Sequence, residues 1–244
     1  VCYQGLFLMK ESLERNEPAG LKVFGPWPTI YEGLAHLPAH VQKSWFDFDH
    51  FFSDESFPRA FPIILKDRPK TIMDIGGNTG KFAMACALEA PNARITVVDH
   101  PGQIEMARKN IEAKGLQDRL SYFPTNLLDH SQELPKGKDV IWMSQLLSCF
   151  SEEDVVRLLK RVRESMSPES RLYIMETFTD NQKFDAAKFC LDMTSLYFTV
   201  MANGNSRMYR RERFLELVKQ AELRVVEEHP YIRLNHTILK CQIG

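Results

Sequence analysis

The sequence predicts an α/β fold: a Rossmann-like, doubly wound, seven-stranded sheet with an antiparallel last strand, preceded by a small helical lead-in. Three observations carry this expectation. From Lys70 onward, short β-branched runs alternate with segments of helical spacing, which implies βαβ units and a parallel sheet covered on both faces. A glycine-rich loop follows the first of those runs and opens a helical segment. The last two runs are joined by a link too short for a parallel return, which needs a crossover of about a dozen residues or more.

Taken in order, residues 3–13 and 41–52 have helical apolar spacing, while Pro18, Gly20, Gly25, Pro26 and Pro28 break the stretch between them. Residues 1–60 are therefore expected to form the lead-in, and 61–244 the α/β domain. Strands are expected at 71–75, 95–99 and 120–123, with helices opening near Gly80 and Pro101. A strand at 139–143 precedes a helix that Ser151 opens, with Asp154 three residues on, and a strand follows at 171–176. A long helical segment over 183–201 interrupts the alternation. Strands at 223–228 and 237–243 close the chain around a polar turn containing Pro230 and Asn235.

Composition narrows the class. Among 244 residues, 31 Lys and Arg face 32 Asp and Glu, a net charge of −1 with no block of five like charges, so nucleic-acid binding is not expected. Apolar runs such as 61–65 and 140–143 fall far short of the roughly 18 residues a membrane span needs, so no membrane partner is expected either. Cys2, Cys86, Cys149, Cys190 and Cys241 are scattered, without a CxxC pair or a His at metal-ligand spacing, which points to a reducing cytoplasm and to no metal. No leader pattern opens the sequence, and its first residue is Val1, so a longer parent chain is expected.

The first strand runs into Asp74, Ile75, Gly76, Gly77, Asn78, Thr79 and Gly80. Glycines here let the backbone turn tightly and approach a ligand, and the amides of the new helix suit an anionic or polar group, although such a loop alone is equally a plain left-handed turn. Asp99 ends the second strand nineteen residues after Gly80, where an acid is placed to accept both hydroxyl hydrogens of a ribose. Asn78 stands where the dinucleotide fingerprint wants glycine. Asp74 would repel a phosphate but suits the ammonium end of a methionine group. S-adenosylmethionine therefore fits better than NAD.

The stretch from Asp74 to Asn110, residues 142–154 and Tyr173-Ile174-Met175-Glu176 resemble the class I S-adenosylmethionine-dependent methyltransferases. Within them the chain resembles the small-molecule O-methyltransferases that include caffeate-type, acetylserotonin and bacterial tailoring enzymes. The resemblance implies that Gly76 lies in the loop cradling the methionine part, that Asp99 holds the ribose and that Asn126 and Leu127 flank the adenine. Gly77, Gly80, His100, Met143 and Ser144 are grouped with this cofactor site. The resemblance also implies a small-molecule acceptor, S-adenosylhomocysteine as product, and an N-terminal winged-helix domain through which the complete protein forms a homodimer. On this reading most of that domain lies before Val1, and the apolar Tyr3, Leu6, Phe7 and Leu8 are left exposed.

The catalytic positions depart from the family. A phenol with a pKa near 10 needs a base at neutral pH. Relatives supply a His in a Leu-His-Asp-Trp segment, which here reads Leu147-Ser148-Cys149-Phe150, so Ser148 occupies the His position. Ser206 stands at the position of a bracing Glu, whereas the third family carboxylate persists as Glu176. Glu176 and His50, the latter in an aromatic segment expected over the methyl donor, are the candidate bases; each has an equally ordinary reading, as a capping or solvated carboxylate and as a packed core histidine. Met193, Tyr197, Met201 and Asn205 line either a lid or a flat apolar acceptor pocket, and Arg161, Arg163, Arg210 and Arg211 are expected on solvated helix faces. The expected reaction is O-methylation of an aromatic or polyketide-like hydroxyl. C- or N-methylation, and a non-catalytic S-adenosylmethionine-binding protein, are the alternatives.

Overall fold

Strands β1 (Thr71–Ile75), β2 (Arg94–Asp99), β3 (Leu120–Pro124), β4 (Val140–Ser144), β5 (Arg171–Thr177), β6 (Leu223–Ile232) and β7 (His236–Ile243) form one sheet in the order β3-β2-β1-β4-β5-β7-β6. The structure, a computed structural model, describes residues 2–244, with the side chain of Ala35 left aside. β1 to β5 pair in parallel, and β7 runs antiparallel to both β5 and β6, as the short final link requires.

Strands covered on both faces must be apolar throughout, and β4 and β5 are buried along nearly their whole length. One face packs Ile141, Met143, Ile174 and Leu239 against α8 (Glu152–Ser165) and α10 (Arg211–Gln220). The other packs Ile72, Ile95, Val97 and Trp142 against α6 (Lys81–Glu89), α7 (Pro101–Glu112) and α5 (Phe57–Ile64). Phe82 of α6 stacks on Trp142 at 4.9 Å and 14°, fixing the first helix after the glycine loop on the sheet.

Three boundaries differ from the sequence expectation. Residues 3–13 form two short helices, α1 (Cys2–Leu6) and α2 (Met9–Arg15), rather than one. α5 runs across the expected boundary at residue 60, with Phe57 edge-on to Phe82 at 5.3 Å. Pro230 lies inside β6 rather than in the turn; β6 is an edge strand, where a missing N–H costs no ladder bond, and the register shifts there between His229 and Ile232.

The rest of the lead-in comprises α3 (Ile30–Gly33) and α4 (Ala39–Ser53). Leu21, Ile30, Leu34 and Leu37 form a third core with Phe198 and Ala202. Those last two belong to a π-helical turn, Phe198–Ala202, that ends α9 (Asp185–Tyr197). The lead-in is thus welded to the inserted helix, and α4 lies over the carboxyl ends of the strands. Among the described residues, no helix is long and apolar enough to cross a membrane.

Candidate functional site: a cleft at the sheet's switch point

Between β1 and β4 the strand order reverses, and ligand crevices of open α/β sheets lie at such points, outside the carboxyl ends of the strands. A cavity of about 410 Å³ occupies this place, lined from β1, β2, β4 and β5 by Asp74, Asp99, Ser144 and Glu176 and roofed by α4.

The glycine loop packs closely against neighbouring side chains, with no room for a Cβ at Gly76 or Gly77. Gly76 has φ +78°, a left-handed conformation, and a Cβ on it would lie 2.8 Å from Leu146 Cδ1. A Cβ on Gly77 would lie 2.6 Å from Val97 Cγ1 and 2.8 Å from Asp74 Oδ2. Gly80 packs against α7 and is absent from the cleft wall, so its role is to seat the helix rather than touch a ligand. Asn78 has φ 49°, and its amide donates to Asp99 Oδ2 at 2.8 Å, while the His100 amide donates to Asp99 Oδ1 at 2.6 Å. Asp99 is thereby aimed into the cleft, with lone pairs left for a ligand.

Burial, reinforced by the charge of Asp99, pushes the carboxyl of Asp74 up to about 8. Burial raises Asp99 as well, against the two amides that stabilise its charge. Asp74 Oδ2, Asn78 Oδ1, Thr79 Oγ1, Trp142 Nε1, Ser144 Oγ and Asn235 Oδ1 are all buried without a hydrogen-bond partner, and all six residues line this cleft. Buried polar atoms left unmatched cost about 1–3 kcal/mol each, so a concentration of them marks a surface completed by a ligand. Donors and acceptors in this mixture fit a polar, amino-bearing nucleoside better than a pyrophosphate.

Asn126 and Leu127 also line the cleft. Their loop is held from behind by Arg161, whose guanidinium donates to Leu127 O at 3.2 Å and Thr125 Oγ1 at 3.3 Å. Arg161 is 6% exposed, which corrects its expected place on a solvated face; its planar fork answers three backbone and side-chain acceptors that α8 cannot. Met143 is fully buried in the core beneath the sheet and does not line the cleft, because alternate residues of β4 point to opposite faces.

The catalytic candidates converge on the same cleft. Glu176 is 3% exposed, and its Oε1 accepts the amides of Leu146 and Leu147 at 2.9 and 2.7 Å. Burial pushes it up to about 7, with those amides and Ser148 opposing. Glu176 therefore braces the turn after β4, where Gln145 has φ 50°, as well as facing the cleft. Ser148 is buried beside it. His50 lines the cleft from α4, stacked on Phe46, with Nδ1 3.5 Å from Asp54 Oδ1; burial first, then Lys81, lowers its pKa, which keeps the ring neutral at pH 7. Ser206 lies behind the wall and donates from Oγ to Asn203 Oδ1 at 2.6 Å, while the Asn203 amide donates to Cys149 O.

Tyr197 and Asn205 reach the cleft, whereas Met201 packs inward against Gly5 and Gly20 and Met193 is exposed outside the wall. Trp45 Nε1 donates to Tyr197 Oη at 3.0 Å, tying α4 to α9 across the cavity. Sequence reasoning missed Asp49 and Tyr31, both in the wall. Asp49 was legible only as part of an aromatic segment, one residue from the more conspicuous His50.

The profile of the O-methyltransferase domain family matches residues 64–224. The chain belongs to that family. With it comes membership of the class I S-adenosylmethionine-dependent methyltransferases, whose mixed seven-stranded sheet is the one described above. A mitomycin biosynthesis 6-O-methyltransferase from Streptomyces lavendulae is 32% identical over 161 residues, 66% of this chain and 43% of the relative. An L-tyrosine C(3)-methyltransferase from the same organism is 22% identical over 222 residues, 91% of this chain and 59% of the relative. The solved structure of mitomycin 7-O-methyltransferase superposes with a TM-score of 0.80 at 21% identity, covering 99% of this chain and 68% of that one, a likeness of fold. Other relatives are named N-methyltransferases. The chain thus spans about half the length of the curated relatives it matches.

Proposed function

We propose that the protein is an S-adenosylmethionine-dependent methyltransferase acting on a small, flat acceptor, with transfer to a hydroxyl oxygen as the leading reaction. The observation that carries this reading is the switch-point cleft, whose wall brings together the glycine loop, Asp99 and six residues that carry unmatched buried polar atoms. Asp74, Gly76, Gly77 and Asn78 would hold the methionine part, Asp99 and His100 the ribose, and Asn126 and Leu127 the adenine, with Ser144 completing the wall. When bound, S-adenosylmethionine supplies a methyl group on a positively charged sulfur; its product is S-adenosylhomocysteine.

The residues of this chain orient the acceptor and exclude water. Trp45, Phe52 and Tyr197 present flat walls to an aromatic ring. Held near neutrality by burial, Glu176 is able to take the proton of an acceptor hydroxyl, and neutral His50 is the second group so placed. With Ser148 in the family's His position, an acceptor that is already nucleophilic, such as an amine or an activated carbon, is the second reading. The exposed Tyr3, Leu6, Phe7, Met9 and Leu13 support a homodimer of the complete protein, although Leu8 is half-buried; a cytoplasmic setting agrees with the free cysteines.

Incubation with methyl-labelled S-adenosylmethionine and a panel of aromatic hydroxyls, amines and activated carbons tests the reading. Labelled methyl on any acceptor, with S-adenosylhomocysteine formed in equal amount, is the expected result. Cofactor binding with no turnover across the panel would favour the non-catalytic alternative, and binding of NADH in its place would exclude the assignment.

A further inference from the structure

On α4, Trp45, Asp49 and Phe52 fall at helical spacing and all face the cleft. Asp49 is half-buried there, and its Oδ2 accepts one long hydrogen bond, from Asn78 Nδ2 at 3.3 Å. The nearby cation is turned away from it: Lys81 Nζ lies 2.7 Å from Asp54 Oδ2, and the neutral His50 ring directs Nδ1 at the same carboxylate at 3.5 Å. Among the described residues no cation pairs with Asp49, and no arginine lines the cavity.

The other carboxylates of the cleft have tasks. Asp74 and Asp99 stand at the glycine loop, Glu176 accepts two backbone amides, Glu32 accepts the Thr29 amide at the start of α3, and Asp154 accepts from the Ser151 hydroxyl at the start of α8. Asp49 is left near Tyr31, Tyr197 and Cys149, whose pKa values burial chiefly raises, with the charge of Asp49 adding to each. The other oxygen of Asp49 accepts no hydrogen bond from the described residues, and a carboxylate short of donors in an aromatic cavity matches a group rich in N–H bonds and disfavours an anion.

Resting on the methyl-transfer reading, we propose that Asp49 selects the acceptor by charge, recognising a protonated amine on an aromatic molecule and rejecting a carboxylate. Burial pushes Asp49 up to about 6, with Asp54 adding and Asn78 and Lys81 opposing, so it is ionised at pH 7.5 and its charge is incompletely compensated until such an acceptor binds. A charge-assisted hydrogen bond is worth roughly twice a neutral one.

The test is calorimetric titration of the chain, saturated with S-adenosylhomocysteine at pH 7.5, with three probes of similar shape: tyramine, 4-ethylphenol and 3-(4-hydroxyphenyl)propionate. Tyramine is expected to bind about tenfold or more tighter than 4-ethylphenol, and the propionate not at all. Asp49→Asn, which keeps the shape and the bond to Asn78, is expected to bring tyramine to within about threefold of 4-ethylphenol while leaving S-adenosylhomocysteine affinity unchanged. Equal binding of the three probes, no binding of tyramine, or an unaltered preference in Asp49→Asn overturns the proposal. So does a loss confined to S-adenosylhomocysteine, which would assign Asp49 to the cofactor's own ammonium group. Failure of the unaltered chain to bind S-adenosylhomocysteine would instead defeat the methyl-transfer reading beneath it.

Discussion

Asp74 shows how a single side chain in the cleft carries a structural cost that the proposed function would explain. It is 2% exposed, one oxygen is unmatched, and Asp99 lies close enough to oppose its ionisation. Its folded pKa of about 8 lies above the unfolded value, so the ligand-free fold holds a proton that the unfolded chain releases as pH climbs past about 4. Stability without ligand is therefore expected to fall with rising pH across that interval and to level above about 8. A bound ammonium favours the carboxylate, so the affinity for S-adenosylhomocysteine is expected to rise between pH 6 and 8, by up to about tenfold per unit where Asp74 alone limits it. Titrations of Asp74→Asn across the same range should show a flatter profile; an unchanged slope would take Asp74 out of the site. Of the residues at this scale, Asp74, Gly76, Asn78 and Asp99 were legible because motif and strand position fixed them together. Arg161 and Asp49 were not, since the burial of a charged side chain depends on what distant segments bring against it.

At the scale of elements, the loop of Asn126 and Leu127 illustrates a cleft-lining segment stiffened by a neighbouring helix. Arg161 of α8 caps its carbonyls, and Ser151 starts that helix by accepting the Asp154 amide at 3.2 Å, the capping pair that the sequence announced. Replacing Arg161 with Met keeps much of the buried stem but strands three acceptors, and a loss of about 2–3 kcal/mol in unfolding free energy is expected. Hydrogen exchange should quicken first at residues 125–128; a melt and exchange pattern like those of the unaltered chain would show that the loop stands without it. Strand and helix order were readable because hydrophobic period changes from two to 3.6 with each βαβ unit. The break between α1 and α2 and the extension of β6 through Pro230 were hidden, because both are decided by partners: the π-helical turn in one case and the free edge of the sheet in the other.

The whole molecule brings one half of a ligand site from the sheet and the other from the lead-in. β1, β2, β4 and β5 fix Asp74, Asp99, Ser144 and Glu176 at their carboxyl ends, and α4 closes the cavity with Trp45, Asp49 and His50. The Trp45–Tyr197 bond and the third core make this roof part of the fold rather than a loose flap. The sequence disclosed the sheet half and singled out His50, which lines the cleft, but the facing wall stayed obscure because its residues come from α3, α4, α9 and the turn after β4, which meet only in three dimensions. The central claim is that this cleft holds S-adenosylmethionine through Asp99 and the glycine loop. Calorimetric titration of S-adenosylhomocysteine into the unaltered chain and into Asp99→Ala tests it most directly. One site per chain is predicted, weakened by about 1.5–3 kcal/mol in Asp99→Ala with the melting transition retained; equal affinity in the two proteins would contradict it.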